Sequence, residues 1–200
     1  KVNPKKYNSI KFHFIMQEEQ LGLGHAISLA ENFIRNEPFL VILPDELFVS
    51  EISCTKELSD AYYKIKNSVI AVNKIDINEI HKYGVIKPGK INKNLIDIDD
   101  IVEKPNKKDA PSDMAVIGRY ILSSNIFSYL KLIKEDKLGE IQLTDAIRLM
   151  VGHEPIAALP YSRKKFDCGS KLGYVQAIIS KSLQDNEIKE DIKKFIKSID

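Results

Sequence analysis

Along the chain, runs of consecutive apolar residues alternate with stretches whose apolar positions recur every three or four residues. The first pattern suits strands buried on both faces, the second amphipathic helices. Ile10–Gln17 reads as a buried strand. After a glycine-containing loop, a helix is predicted over His25–Arg35, where Ile27, Leu29, Ala30, Phe33 and Ile34 fall at helical spacing. Phe39–Leu43 is a continuous apolar run halted by Pro44-Asp45, the pattern of a central strand ending in a loop. A helix over Lys56–Lys66 and a buried strand over Ser68–Asn73 follow. This alternation predicts parallel pairing with right-handed crossovers.

The character shifts after Asn73. Tyr83–Pro88, Ile91–Glu103 and Met114–Leu122 are strand-like, divided by Gly, Pro and the polar stretch Asn106–Asp113, which predicts an antiparallel or mixed extension at one end of the sheet. Helices are expected at Asn125–Lys134 and Gln142–Val151, a strand at Pro155–Tyr161, and helical periodicity again over Lys171–Leu183 and Glu187–Ile199. Lys189, Lys193, Lys194 and Lys197 read as the solvated face of a terminal helix. The fold class is therefore α/β, a mixed central sheet with flanking helices.

Composition narrows the function. With 200 residues, 44% hydrophobic and 29% charged, the chain can bury a core without disulfides or a structural metal. Thirty Lys and Arg against 28 Asp and Glu leave a formal charge of +2, which argues against nucleic-acid binding. No apolar run approaches the roughly 20 residues that span a bilayer, so no membrane insertion is expected. The two cysteines, Cys54 and Cys168, fit a reducing, cytoplasmic compartment. The first methionine, Met16, lies inside the run Ile10–Met16, so the chain is expected to be an excerpt of a longer protein.

Four segments could carry chemistry. In Gln17-Glu-Glu-Gln-Leu-Gly-Leu-Gly-His-Ala26, Gly22 and Gly24 would let backbone N–H groups approach a ligand at a helix N-terminus; a tight turn needing positive φ is the structural alternative. Leu43-Pro-Asp-Glu46 places Asp45 beyond a strand end, where it could hold Mg²⁺ or cap the next element. In Val102-Glu-Lys-Pro105, a bend at the proline could aim Glu103 at sugar hydroxyls and Lys104 at a phosphate; an ordinary exposed strand end is the alternative. In Phe166-Asp-Cys-Gly-Ser-Lys-Leu-Gly173, Asp167 could be a second metal carboxylate, or Asp167 or Ser170 a helix cap. The four histidines show no metal-ligand spacing, and Cys168 is not read as a nucleophile.

Taken in order, these segments resemble the bacterial UTP–glucose-1-phosphate uridylyltransferases of the nucleotide-sugar pyrophosphorylase superfamily. The likeness rests on Gly22–Ala26, Leu43–Asp45, Tyr83–Val85, Val102–Pro105, Ala110–Ser112, Val116–Tyr120, Gly139–Ile147 and Asp167–Tyr174, and so covers essentially the whole chain. The resemblance implies a Rossmann-like nucleotidyltransferase fold, with residues 1–200 forming most of one domain that includes a C-terminal helical segment at about 171–200. It implies transfer of a uridylyl group from UTP to glucose 1-phosphate, giving UDP-glucose and pyrophosphate with Mg²⁺. By that likeness Gln17 reads uracil, and Gly22 lies against the nucleoside. Gly84, Glu103 and Lys104 hold the sugar phosphate, Asp45 and Asp167 hold the metal, and Lys104 and Asp45 are catalytic.

The family's glycine-rich triphosphate loop has no match here, so the resemblance places it, with the first strands, ahead of Lys1 and implies that the 200 residues alone are inactive. A homo-oligomer is expected. A sugar-nucleotide-binding module without catalysis is the first alternative, and a nucleotidyltransferase acting on another sugar 1-phosphate the second. A glycosyltransferase is disfavoured because Asp45-Glu46-Leu47 departs from the Asp-x-Asp pattern that such enzymes carry.

Overall fold

The computed structural model describes residues 9–199. Its eight strands are β1 (Phe39–Ile42), β2 (Glu46–Val49), β3 (Ser68–Lys74), β4 (Gly84–Asn92), β5 (Leu95–Glu103), β6 (Met114–Leu122), β7 (Ile156–Pro160) and β8 (Lys164–Asp167). The α-helices among these residues are α1 (Gly22–Ser28), α2 (Glu31–Ile34), α3 (Cys54–Ile65), α4 (Ile126–Leu130), α5 (Leu143–Val151), α6 (Lys171–Ser182) and α7 (Lys189–Ser198). Six strands form one sheet in the order β1-β6-β3-β7-β5-β4, and β2 pairs with β8 in a separate ribbon.

The centre of the sheet follows from β6, Met-Ala-Val-Ile-Gly-Arg-Tyr-Ile-Leu, whose residues are buried along its whole length. Such a strand must have neighbours on both edges and layers on both faces. It lies between β1 and β3, antiparallel to both. Along β3 the side chains alternate: Ile70 and Val72 join a core on one face, Val69 and Ala71 a core on the other. Helices α1, α4 and α5 contribute to the first core, and α3 covers the second through Leu58 and Ala61. Ser53 caps α3 by accepting from Lys56 N at 3.2 Å.

Several expectations are corrected. Ile10–Gln17 forms no strand: Phe14 is 94% and Met16 79% exposed, because no described strand pairs with the segment to repay its ordering. Phe39–Ile42 is an edge strand rather than a central one, with Leu40 and Ile42 exposed on alternate positions. Among the described strands, parallel pairing holds only for β3 with β7, since antiparallel β6 inserts between β1 and β3. The third late strand therefore lies mid-sheet and not at the end, where only β5 and β4 extend it. The helix over His25–Arg35 is two short ones that stop at Arg35 in a left-handed conformation. The C-terminal segment is α6 and α7, and its last residue, Asp200, lies outside the described residues.

Candidate active site

A cavity of about 410 Å³ opens where the β2–β8 ribbon, the start of β4, the end of β5 and the loop before α5 meet β6. Gly22, Asp45, Gly84, Glu103, Lys104 and Asp167 all line it, so one wall system collects residues more than 140 positions apart.

The ribbon builds the acidic end. Register places Glu46 opposite Asp167, and Cys168 N donates to Asp45 O at 2.7 Å, which ties the two aspartates' segments together. A Cβ added at Gly169 would sit 3.1 Å from Asp167 Oδ1 and 3.2 Å from Asp45 Oδ2, so both carboxylates converge beside that glycine. Both aspartates are exposed to the cavity side. Helix α6 is capped by Ser170, which accepts from Gly173 N at 3.0 Å, leaving Asp167 free of that duty. Among the described residues no three acids, histidines or cysteines form a cage. Two carboxylates without a cage suit a divalent cation that completes its shell with oxygens from water or a ligand.

Glu46 stands behind this pair. It is 9% exposed, its Oε1 accepts from Lys165 Nζ at 2.8 Å, and its Oε2 has no partner among the described residues. Burial holds its carboxyl above the ordinary value; Lys165 lowers it, and the nearby Asp167 and Asp45 raise it further. Arg119 braces the same corner by donating to the carbonyl oxygens of Leu43, Gly118 and Glu46. Burial lowers the Arg119 pKa.

The opposite end is built by the bend that the proline predicts. Lys104 has φ +41°, and its N–H donates to Tyr83 O at 3.0 Å. A non-glycine residue in that region costs of order 1–3 kcal/mol, so the surrounding hydrogen bonds over-determine it. The bend brings Glu103 and Lys104 to one side, with Glu103 Oε1 3.6 Å from Lys104 Nζ. Glu103 Oε2 accepts from Thr144 Oγ1 at 2.6 Å. Gly84 pairs with Glu103, and a Cβ there would lie 3.0 Å from Thr144 Oγ1 and 3.2 Å from Glu103 Oε2. Any side chain at Gly84 would crowd both.

The Gly22 turn has a structural explanation as well as a place on the wall. Its φ is +86°, and a Cβ would sit 3.0 Å from both Glu140 Cβ and Ile141 O. Gln17 does not line the cavity. Its Nε2 donates to Gly22 O at 3.2 Å and lies 3.1 Å from His25 Nδ1, so its amide holds the turn.

Sequence reasoning missed Glu46, Tyr83, Gln142 and Thr144 on this wall. Thr144 and Gln142 lie in Gly139–Ile147, which carries the resemblance, and their place at the start of α5 is the signal that points them at the cavity.

A model of the family described as nucleotidyl transferase matches residues 2–183. The chain belongs to the nucleotidyl transferase family. It is 41% identical over 187 residues to a UTP–glucose-1-phosphate uridylyltransferase of Staphylococcus epidermidis, covering 94% of this chain and 65% of that protein. A Staphylococcus saprophyticus protein of the same name is 38% identical over 196 residues, covering 97% of this chain and 68% of that one. Among solved structures, a UDP-glucose pyrophosphorylase complexed with UDP-glucose superposes with a TM-score of 0.83 at 41% identity, over 87% of this chain and 67% of that one. A UTP-bound relative from Acinetobacter baumannii gives 0.82 at 30% identity, over 93% and 65%. This nucleotidyl transferase chain thus spans about two thirds of the length of the relatives it matches.

Proposed function

We propose that the protein joins UTP and glucose 1-phosphate to form UDP-glucose and pyrophosphate, with Mg²⁺ as the metal. The observation that carries this reading is the division of one cavity into an end with two converging carboxylates and an end where a lysine and a hydroxyl-satisfied glutamate face each other. Relatives named for this reaction support it.

In the reaction, an oxygen of the sugar phosphate attacks the α-phosphorus of UTP in line, the P–O bond to the β-phosphate breaks, and pyrophosphate leaves. Such a transfer needs positioning and charge neutralisation rather than a covalent nucleophile. Asp45 and Asp167 would hold the metal, which when bound would supply positive charge to neutralise the nucleotide's phosphates. Lys104 would hold and orient the attacking phosphate as a point charge. Glu103, its one oxygen already taken by Thr144, would accept from a sugar hydroxyl, and Gly84 would leave room for the ring. Gly22 would lie against the nucleoside, with Gln17 fixing the turn and contributing to the choice of uracil.

The test is a matrix of rates with the full-length protein: UTP, ATP and CTP each paired with glucose 1-phosphate, galactose 1-phosphate and N-acetylglucosamine 1-phosphate. The pair UTP and glucose 1-phosphate should give the highest kcat/KM for pyrophosphate release. A higher value for another sugar phosphate would replace the substrate, and no release from any pair would leave only binding.

A further inference from the structure

The loop ahead of α5 is tied down from several sides. Asp136 accepts from Leu138 N at 2.7 Å, Glu140 N at 3.1 Å and Gln142 Nε2 at 2.9 Å. Ile141 N donates to Leu21 O at 2.8 Å, and its carbonyl accepts from Gly24 N at 2.8 Å, which stitches the loop to the Gly22 turn. Gln142 is consequently 8% exposed, yet it lines the cavity.

The orientation of its amide is not free. Nε2 donates to Asp136 Oδ2 at 2.9 Å and also to Glu140 Oε2 at 2.8 Å. Turned the other way, the carbonyl oxygen would face two carboxylates and both would lose a donor. Oε1 is therefore directed away from the two acids. None of the described residues donates to it, and it is not among the sealed-off polar atoms. The cavity wall thus carries a neutral acceptor, held in place by Glu140 and by Asp136, which two backbone N–H groups fix in turn.

Its surroundings fix which ligand it meets. Thr144, two residues on, donates to Glu103, and the charge of Lys104 reaches Asp136 and helps hold that carboxyl below its ordinary value, after the Gln142 and backbone hydrogen bonds. Gln142 thus belongs to the wall shared with Glu103 and Lys104.

We infer that Gln142 Oε1 accepts a hydrogen bond from a hydroxyl of the sugar phosphate and helps determine which sugar is used, with Asp136 and Glu140 as positioning residues that lock the amide. The inference rests on the sugar-phosphate assignment made above. A buried acceptor left without its donor penalises any ligand lacking that hydroxyl, so the contact discriminates where a merely apolar wall would not.

The test compares the full-length wild type with Gln142→Leu and Asp136→Asn, using glucose 1-phosphate and its monodeoxy analogues. Gln142→Leu should raise KM for glucose 1-phosphate roughly threefold to tenfold, the loss of one neutral hydrogen bond, with KM for UTP unchanged. For one deoxy analogue the wild type should already be as poor as the variant, so that the substitution costs nothing further. Asp136→Asn keeps Oε1 and loosens its anchor, so it should shift the same KM in the same direction by less; this arm decides the matter if Gln142→Leu does not fold. An equal loss with every analogue, or a shift in KM for UTP, would overturn the inference. A wild type that uses no sugar phosphate would instead overturn the assignment on which it rests.

Discussion

The two ends of the cavity balance their charge differently. At the ribbon end, Lys165 is bound to Glu46, Arg119 lies behind it and Lys82 near Asp167, yet neither Asp45 nor Asp167 makes an ion pair with any of the described residues. At the far end, Glu103 has Thr144 on one oxygen and Lys104 near the other. The first end thus leaves two converging carboxylates that a cation would join. The second, with Glu140 also on its wall, offers a half-exposed lysine suited to a phosphate. One cavity can therefore hold two polyanions without setting them against each other, provided a cation accompanies the first.

The comparison breaks most severely at Asp45. Asp45→Ala in the full-length protein should lower kcat by about a hundredfold or more, comparable to losing a preorganised electrostatic contact, and leave glucose 1-phosphate binding unchanged in calorimetry. Wild-type turnover at saturating Mg²⁺ would remove Asp45 from the metal end.

The opposite substitution sharpens the other half. Lys104→Ala should weaken glucose 1-phosphate by about 1.5–3 kcal/mol, the worth of a charge-assisted contact, while UTP affinity holds. Weakened UTP with the sugar phosphate unaffected would exchange the two ends.

A smaller effect is expected at the turn between them. Gln17→Ala should narrow the kcat/KM preference for UTP over ATP or CTP by about tenfold or less, mainly by harming UTP, because it frees the Gly22 carbonyl as well as removing an amide. Unchanged ratios would confine Gln17 to holding the turn.

The smallest effect concerns stability. Burial holds the Glu46 carboxyl above its ordinary value of 4.5 despite Lys165. The folded state then binds that proton more tightly than the unfolded one, so stability falls as pH rises from about 4.5 through the raised value. Denaturation of wild type and Glu46→Gln across about pH 4 to 7 should show the wild type losing stability relative to the variant as pH rises. A difference that stays constant with pH would mean that Glu46 is not held in this way.

Legibility divided along similar lines. Helix α3, strand β3 and strand β6 could be read almost residue for residue, because α3 has a clear helical periodicity and the two strands are buried along most of their length. The bend at Lys104 was readable from Pro105. Ile10–Gln17 was misread because strand propensity is realised only against a partner strand, and none of the described strands offers one. The insertion of β6 between β1 and β3 is a long-range pairing that no local pattern encodes. The β2–β8 ribbon escaped notice because Glu46–Val49 and Lys164–Asp167 are short and carry mixed polarity. That ribbon brings Asp45 to Asp167, so their proximity was available only through the family resemblance.

The most direct measurement is ³¹P NMR of UTP and glucose 1-phosphate incubated with the full-length protein, with and without Mg²⁺. The account predicts that UDP-glucose and pyrophosphate resonances grow together in equal amounts, only when the metal and both substrates are present. Inorganic phosphate in place of pyrophosphate, or consumption of UTP without the sugar phosphate, would contradict it.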